Sequence, residues 1–249
     1  MSAVNQPDNK ADYLKKEGPI FRLASFFVTL FVVVMPFWIF MKIFTKTRII
    51  GKEKLDQAKL PFLFVSNHVS MLDDMFIGSL LFAPRGMFNY KFMPYHTPEQ
   101  QNFYKGPVMS WIMEHLKCIP LTRGKGLNQP GVNEVIERLK DGGTVHIYPE
   151  GTRTRSGRLG AAKPGVGKIA YESKCAAVPC YHHGIDKILP IGRKFPKPFQ
   201  KVTIIVGDPM NLDEFFKMEN KADTWKKISV AMVTEIRRIR DEAKANKII

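Results

Sequence analysis

The stretch Pro61 to Phe82, PFLFVSNHVSMLDDMFIGSLLF, holds two periodicities and a polar joint between them. Pro61 to Ser66 is a short, unbroken apolar run of strand length, and residues 71 to 82 carry apolar positions at helical spacing. Asn67, His68, Ser70, Asp73 and Asp74 fall at the joint, so a strand ends in polar side chains and opens into a helix. The same alternation continues outward. Strands are predicted over Gly86 to Phe92, Lys117 to Thr122, Thr144 to Tyr148, Ala176 to Tyr181 and Lys201 to Val206, and helices over 71–82, 103–115, 130–141, 166–174 and 222–245. Strands separated by helical segments give an α/β fold with a mixed, mostly parallel central sheet flanked by helices.

Upstream, Leu23 to Met41 runs for nineteen residues without a formal charge. About 20 apolar residues cross a hydrocarbon core, so this segment is expected to be a membrane-anchoring helix. Pro36 lies inside it, and a proline that removes an amide donor also permits a helical hairpin in one leaflet; single span and monotopic hairpin both stay open. A buried core helix fits less well, because an all-round apolar segment needs more surrounding protein than this chain offers. Asp8, Asp12 and Glu17 before the run argue against a signal or transit peptide. Lys42, Lys46, Arg48 and Lys52 follow it, which favours the cytoplasmic face for the rest of the chain. The expected divisions are a tail over 1–22, an anchor and connector over 23–54, and a catalytic domain over 55–249 ending in a basic helix.

The composition bounds the partners. The chain has 249 residues, 38 Lys and Arg against 23 Asp and Glu, and a net charge of +15, a surface that attracts anions. The basic residues are dispersed and no nucleic-acid motif is visible, so nucleic acid is not an expected partner. Cys118, Cys175 and Cys180 have neither redox nor zinc spacing. Cys180, His182 and His183 sit close in sequence, but adjacent strand residues point to opposite faces and no carboxylate motif joins them, so no metal site is expected from them. His96, His115 and His146 have no partner that spacing identifies.

The chemistry-bearing residues lie at strand ends, where α/β sheets place ligands. His68 and Asp73 are five apart. They touch only if His68 lies in the turn and the aspartate folds back from the first helical turn, where it fixes the imidazole tautomer and leaves the other nitrogen as a general base. Ser70 and Asp73 also read as a helix-capping pair, and spacing does not say whether Asp73 or Asp74 orients the histidine. A second loop, Pro149-Glu150-Gly151-Thr152-Arg153, leaves a strand into a segment with five Lys or Arg between Glu150 and Lys168. Glycine lets a phosphate approach the backbone and arginine forks its oxygens. Arg123 ends a third strand, and with Arg153 makes a phosphate clamp; an exposed basic loop is the plainer reading. No serine or cysteine nucleophile motif is present, so direct attack by a substrate hydroxyl is favoured.

Taken in order, Asn67-His68 through Asp73, Ile119 through Arg123, Pro149 through Arg153, and Val178-Pro179 resemble the membrane glycerolipid acyltransferase family, which includes lysophosphatidate acyltransferases and tafazzins. The resemblance covers residues 60 to 210. It implies that His68 is the catalytic base with Asp73 beside it, that Arg123 and Arg153 hold a glycerol phosphate, that Glu150, Gly151 and Thr152 shape that site, and that Pro179 forms an acyl-side wall. Asp73-Asp74, Leu116 through Pro120, Val145 through Ile147 and His183-Gly184 are most similar to tafazzins, whereas Arg153 is the residue usual in lysophosphatidate acyltransferases. The implied activity is transfer of a fatty acyl chain to a free glycerol hydroxyl of lysophosphatidate or another lysophospholipid at a phospholipid membrane. Acyl-CoA or acyl-carrier protein is the expected donor, with no bound cofactor; an intact phospholipid is the alternative donor, and a noncatalytic lipid-binding protein the alternative function.

Overall fold

The computed structural model describes residues 17–83, 85–154, 159–190, 193 and 195–249. Most of the expected tail and the loop residues Arg155 and Arg158 lie outside the described residues. The first helix, α1, runs from Pro19–Ile43 without a break. Its middle, Thr29–Val34, is wound as a π-helix, and the Met35 amide donates to Leu30 O five residues back. Pro36 follows at once. A proline has no amide to donate and its ring crowds the carbonyl four residues earlier; the widened turn takes up that misfit, so the segment stays one helix and the hairpin is not formed.

The remaining principal elements are β1 (Thr45–Ile50), β2 (Phe62–Ser66), α2 (Asp73–Leu81), β3 (Tyr95–His96), α3 (Pro107–His115), α4 (Pro130–Lys140), β4 (Thr144–Ile147), α5 (Pro164–Ser173), β5 (Ala176–His183), β6 (Gln200–Val206) and α6 (Ala222–Ala245). The six strands form one sheet in the order β1-β6-β5-β2-β4-β3. Every neighbouring pair is parallel except β5 with β6. This is the expected mixed, mostly parallel sheet with helices on both faces.

Central strand β2 shows why its sequence is apolar throughout. Leu63 and Val65 face a core shared with α4, α5 and α6, while Phe62 and Phe64 face a second core shared with α1 and α2. A strand covered on both faces has no polar side to alternate. α1 is fixed to the second core by Met41, which is fully buried, and by Phe37 and Phe40 against Phe76. At its other end Phe21 packs on His115 of α3. Just before α1, Glu17 forms a buried ion pair with Arg138 at 2.9 Å and accepts from Tyr95 Oη at 2.7 Å.

Three expectations change. Thr45–Ile50, read as a basic connector, is strand β1, paired in parallel with β6 from Thr45 to Ile50; it lies at the sheet edge, where Lys46 and Arg48 can face water. Gly86 to Phe92 is not a strand but a helical turn, Arg85–Phe88, followed by a turn that buries Phe92 and Met93. Lys117 to Thr122 contributes only isolated bridges, His96 with Cys118 and Glu99 with Leu121, and it begins with Lys117 in the left-handed region at φ 56°.

Candidate active site

The joint after β2 is a compact loop closed by one carboxylate. Asp73 Oδ2 accepts from His68 Nδ1 at 2.9 Å, from the Val69 amide at 2.7 Å and from the Ser70 amide at 2.9 Å. Asp73 is the first residue of α2 and fully buried. Its carboxylate turns back over the loop instead of continuing along the helix, which lets residues five apart meet. The expected N-cap at Ser70 is not formed, because α2 starts at Asp73 and Ser70 Oγ reaches only the Leu72 amide, at 3.3 Å. The carboxylate can only accept, so the imidazole proton is on Nδ1 and the Nε2 lone pair is presented outward. His68 is partly exposed at 19%, enough to meet a ligand. Tyr148, at the end of β4, stacks on its ring with centroids 3.9 Å apart, a support that the sequence did not identify.

Asn67 anchors the loop from the other side. Its side chain donates to His182 O at 3.0 Å and accepts from the His182 amide at 2.9 Å, so an amide side chain continues the β2–β5 ladder past the last β2 residue. His182 Nε2 lies 2.6 Å from Asn67 O. Burial lowers its pKa more than neighbouring Asp73 raises it, so His182 is a structural imidazole here.

Asp74 serves different partners. Its Oδ1 lies 2.8 Å from His96 Nδ1 and 2.7 Å from His146 Nδ1. Burial alone would raise the Asp74 pKa, but His146 and His96 outweigh it and hold the carboxyl well below its usual range. The choice left open by spacing is therefore divided: Asp73 orients His68, and Asp74 gathers two histidines from β3 and β4.

Glu150 ties the second loop to the first. Oε1 accepts from the His68 amide at 3.0 Å and Oε2 from the Gly160 amide at 2.5 Å. Burial raises its carboxyl pKa, opposed by those two backbone donors. The Thr154 amide adds a further bond to His68 O at 2.9 Å, which sets Arg153 beside the His68 loop. Gly151 stands at φ 64°, a left-handed conformation that a side chain would strain, and Thr152 next to it is exposed. Arg123 is exposed and its Nε pairs with Glu99 at 2.8 Å. Pro179 is buried in β5, where Val65 is its β2 neighbour and its carbonyl accepts from the Gly207 amide at 2.8 Å. Thus His68, Asp73 and Glu150 are joined by hydrogen bonds and Arg153 precedes Thr154 on the same loop, while Arg123 stands on its own loop and Pro179 inside the sheet.

The profile of the family described as Acyltransferase matches residues 46–183, which take in β1, the His68 loop and the Glu150 loop. The chain belongs to this acyltransferase family. It is 32% identical over 169 residues, 68% of this chain, to the chloroplastic 1-acyl-sn-glycerol-3-phosphate acyltransferase LPAT1 of Arabidopsis thaliana, and 30% identical over 205 residues, 75% of this chain, to a taffazin of Dictyostelium discoideum. Those matches cover 44% of the first relative and 69% of the second. The crystal structure of the 1-acyl-sn-glycerophosphate acyltransferase PlsC from Thermotoga maritima shares the fold, with a TM-score of 0.58 at 20% identity, over 90% of this chain and 97% of that one.

Proposed function

We propose that this acyltransferase-family chain is a membrane-bound O-acyltransferase that esterifies a free glycerol hydroxyl of lysophosphatidate or another lysophospholipid. The observation that carries the reading is the His68 Nδ1–Asp73 Oδ2 bond at 2.9 Å, which leaves Nε2 as a base at the mouth of the loop. Nε2 takes the proton of the acceptor hydroxyl as its oxygen attacks the acyl carbonyl. When the tetrahedral species collapses, the bond to the donor's sulfur or oxygen breaks and the departing group recovers that proton from His68. The backbone around Gly151 and the Arg153 guanidinium suit the acceptor phosphate, and Glu150 holds that loop against the base. An apolar pocket between α1 and α2, lined by Val33, Val34, Met71, Met75, Phe103 and Leu116, offers space for an acyl chain.

α1 is proposed to lie in one leaflet rather than to span. Phe21 near its start packs on α3 and Phe40 near its end packs on α2. A spanning helix leaves the domain at one end, whereas this one is held at both. Leu23, Phe27, Phe31, Trp38 and Ile43 stay exposed along its outer side, and an amphipathic face of this kind sits at the lipid boundary.

The donor is tested by acyl transfer in liposomes, with labelled lysophosphatidate or lysophosphatidylcholine as acceptor and either an acyl-CoA or only intact phospholipid as donor. Transfer that requires the thioester identifies a biosynthetic lysophosphatidate-type enzyme. Transfer from phospholipid alone identifies a transacylase. Absence of transfer with every pair overturns the proposal.

A further inference from the structure

We propose that Asp74, His96 and His146 form a binding site for one divalent transition-metal cation, with zinc the best match. One ligand atom from each of the three lies within 4.8 Å of those of the other two. Two imidazole nitrogens and a carboxylate oxygen are a borderline-soft donor set that suits zinc. With bonds of about 2.0–2.1 Å, two ligands of a tetrahedral zinc sit about 3.3 Å apart, a spacing that small side-chain rotations reach here.

The hydrogen bonding around His146 points to a cation between these groups. His146 is fully buried in β4, and its Nδ1 lies 2.7 Å from Asp74 Oδ1 but makes no hydrogen bond among the described residues. Its Nε2 lies 2.8 Å from Ser66 Oγ, a hydroxyl that can accept from the ring nitrogen. In the tautomer that donates Nε2–H to Ser66 Oγ, the Nδ1 lone pair faces Asp74 Oδ1 and is available to a cation. A lone pair facing a carboxylate oxygen repels it unless a cation sits between them. An Nε2–H bond to a neighbouring oxygen is also how proteins orient a metal-bound histidine. His96 Nδ1 completes the set on the partly exposed side, 2.8 Å from the same oxygen.

The three ligands come from α2, β3 and β4, so a bound ion would pin the short edge strand β3 to the helix that carries Asp73. Asp74 and His96 also line the pocket between α1 and α2, so an ion held here would face it. The site shares no residue with the His68–Asp73 pair, although Tyr148 packs on both His68 and His146, and the inference does not depend on acyl transfer.

The test uses untagged full-length protein in detergent, stripped with a chelator and titrated with Zn²⁺ against a chromophoric indicator, then with Co²⁺ while its visible absorption is read. Expected are one ion per chain, a tetrahedral Co²⁺ spectrum displaced by Zn²⁺, and affinity at least about 100-fold lower in His96→Ala and Asp74→Asn, since loss of even an outer-shell partner costs 10–100-fold. Asp74→Asn is nearly isosteric and His96 is partly exposed, and circular dichroism confirms that each variant is folded. No stoichiometric binding by the parent protein, or equal affinity in the parent and both folded variants, overturns the proposal.

Discussion

At the residue scale, one carboxylate decides which nitrogen of His68 carries its proton. Asp73 Oδ2 holds the Nδ1 proton and two backbone amides together, so tautomer and loop geometry share a cause. His68→Ala is expected to lower kcat by about 10²–10⁴, the usual contribution of a positioned general base. The melting temperature should stay close to the parent's, because the side chain is partly exposed; near-parental turnover would remove His68 from the mechanism. Glu150→Gln separates support from chemistry. The carboxylate accepts from His68 N with one oxygen and Gly160 N with the other, but an amide has one acceptor. One backbone donor is left unpaired, at a cost of about 1–3 kcal/mol, and thermal unfolding should show that loss while Arg153→Ala shows none. Arg153→Ala should instead raise KM for phosphate-bearing acceptors, which unchanged kinetic constants would contradict. The pairing of His68 with Asp73 was legible from a spacing of five at a strand end. Asp74 with His96 and His146 was not, because these meet through sheet order, at separations of 22 and 72 residues that carry no local signal.

At the element scale, α5 packs backbone to backbone against α6. A Cβ on Gly167 would stand 1.8 Å from Trp225 O, and the Gly167 amide donates to Ser229 Oγ at 2.8 Å. Backbone meets backbone there, so the neighbour cannot yield as a flexible side chain would. Gly167→Ala is expected to destabilise by at least about 1–3 kcal/mol, the range for overpacking; a chemical denaturation midpoint equal to the parent's would show that the two helices separate freely. α4 and α6 were legible because each has an amphipathic period, and Pro130 and Pro164 mark the starts of α4 and α5. Edge elements were not. β1 is Thr-Lys-Thr-Arg-Ile-Ile, whose charged residues resemble a connector until β6 is known to lie beside it, and β3 has two residues, too short for any periodicity. Propensity also misled at Gly86 to Phe92, where Phe92 is buried against Phe62 and Phe82 without joining the sheet.

At the scale of the whole molecule, the apolar segment of the sequence is a lid over the second core and, in the proposed reading, a membrane surface. Its inner side holds the fully buried Met41, and its outer side leaves Phe31 at 61% and Trp38 at 46% exposed. Near its start the apolar surface continues onto α3, where Val108 and Trp111 are exposed and Trp111 stacks on the same His115 that Phe21 covers. Burying one large apolar side chain contributes about 1.5–3 kcal/mol, so Phe31→Ser and Trp38→Ser should each weaken partitioning into liposomes by roughly 10-fold or more, while acyl transfer to a detergent-dispersed acceptor survives. Topology then separates interface from span. In a background whose three native cysteines are replaced by serine, Gly18→Cys and Lys46→Cys flank α1, and in sealed liposomes to which folded protein is added, a membrane-impermeant maleimide should label both. Labelling of one end only, restored at the other by detergent, would mean that α1 leaves the domain and crosses the bilayer. That outcome would separate Phe21 from His115 or Phe40 from Phe76, and with it the pocket beneath the helix would open.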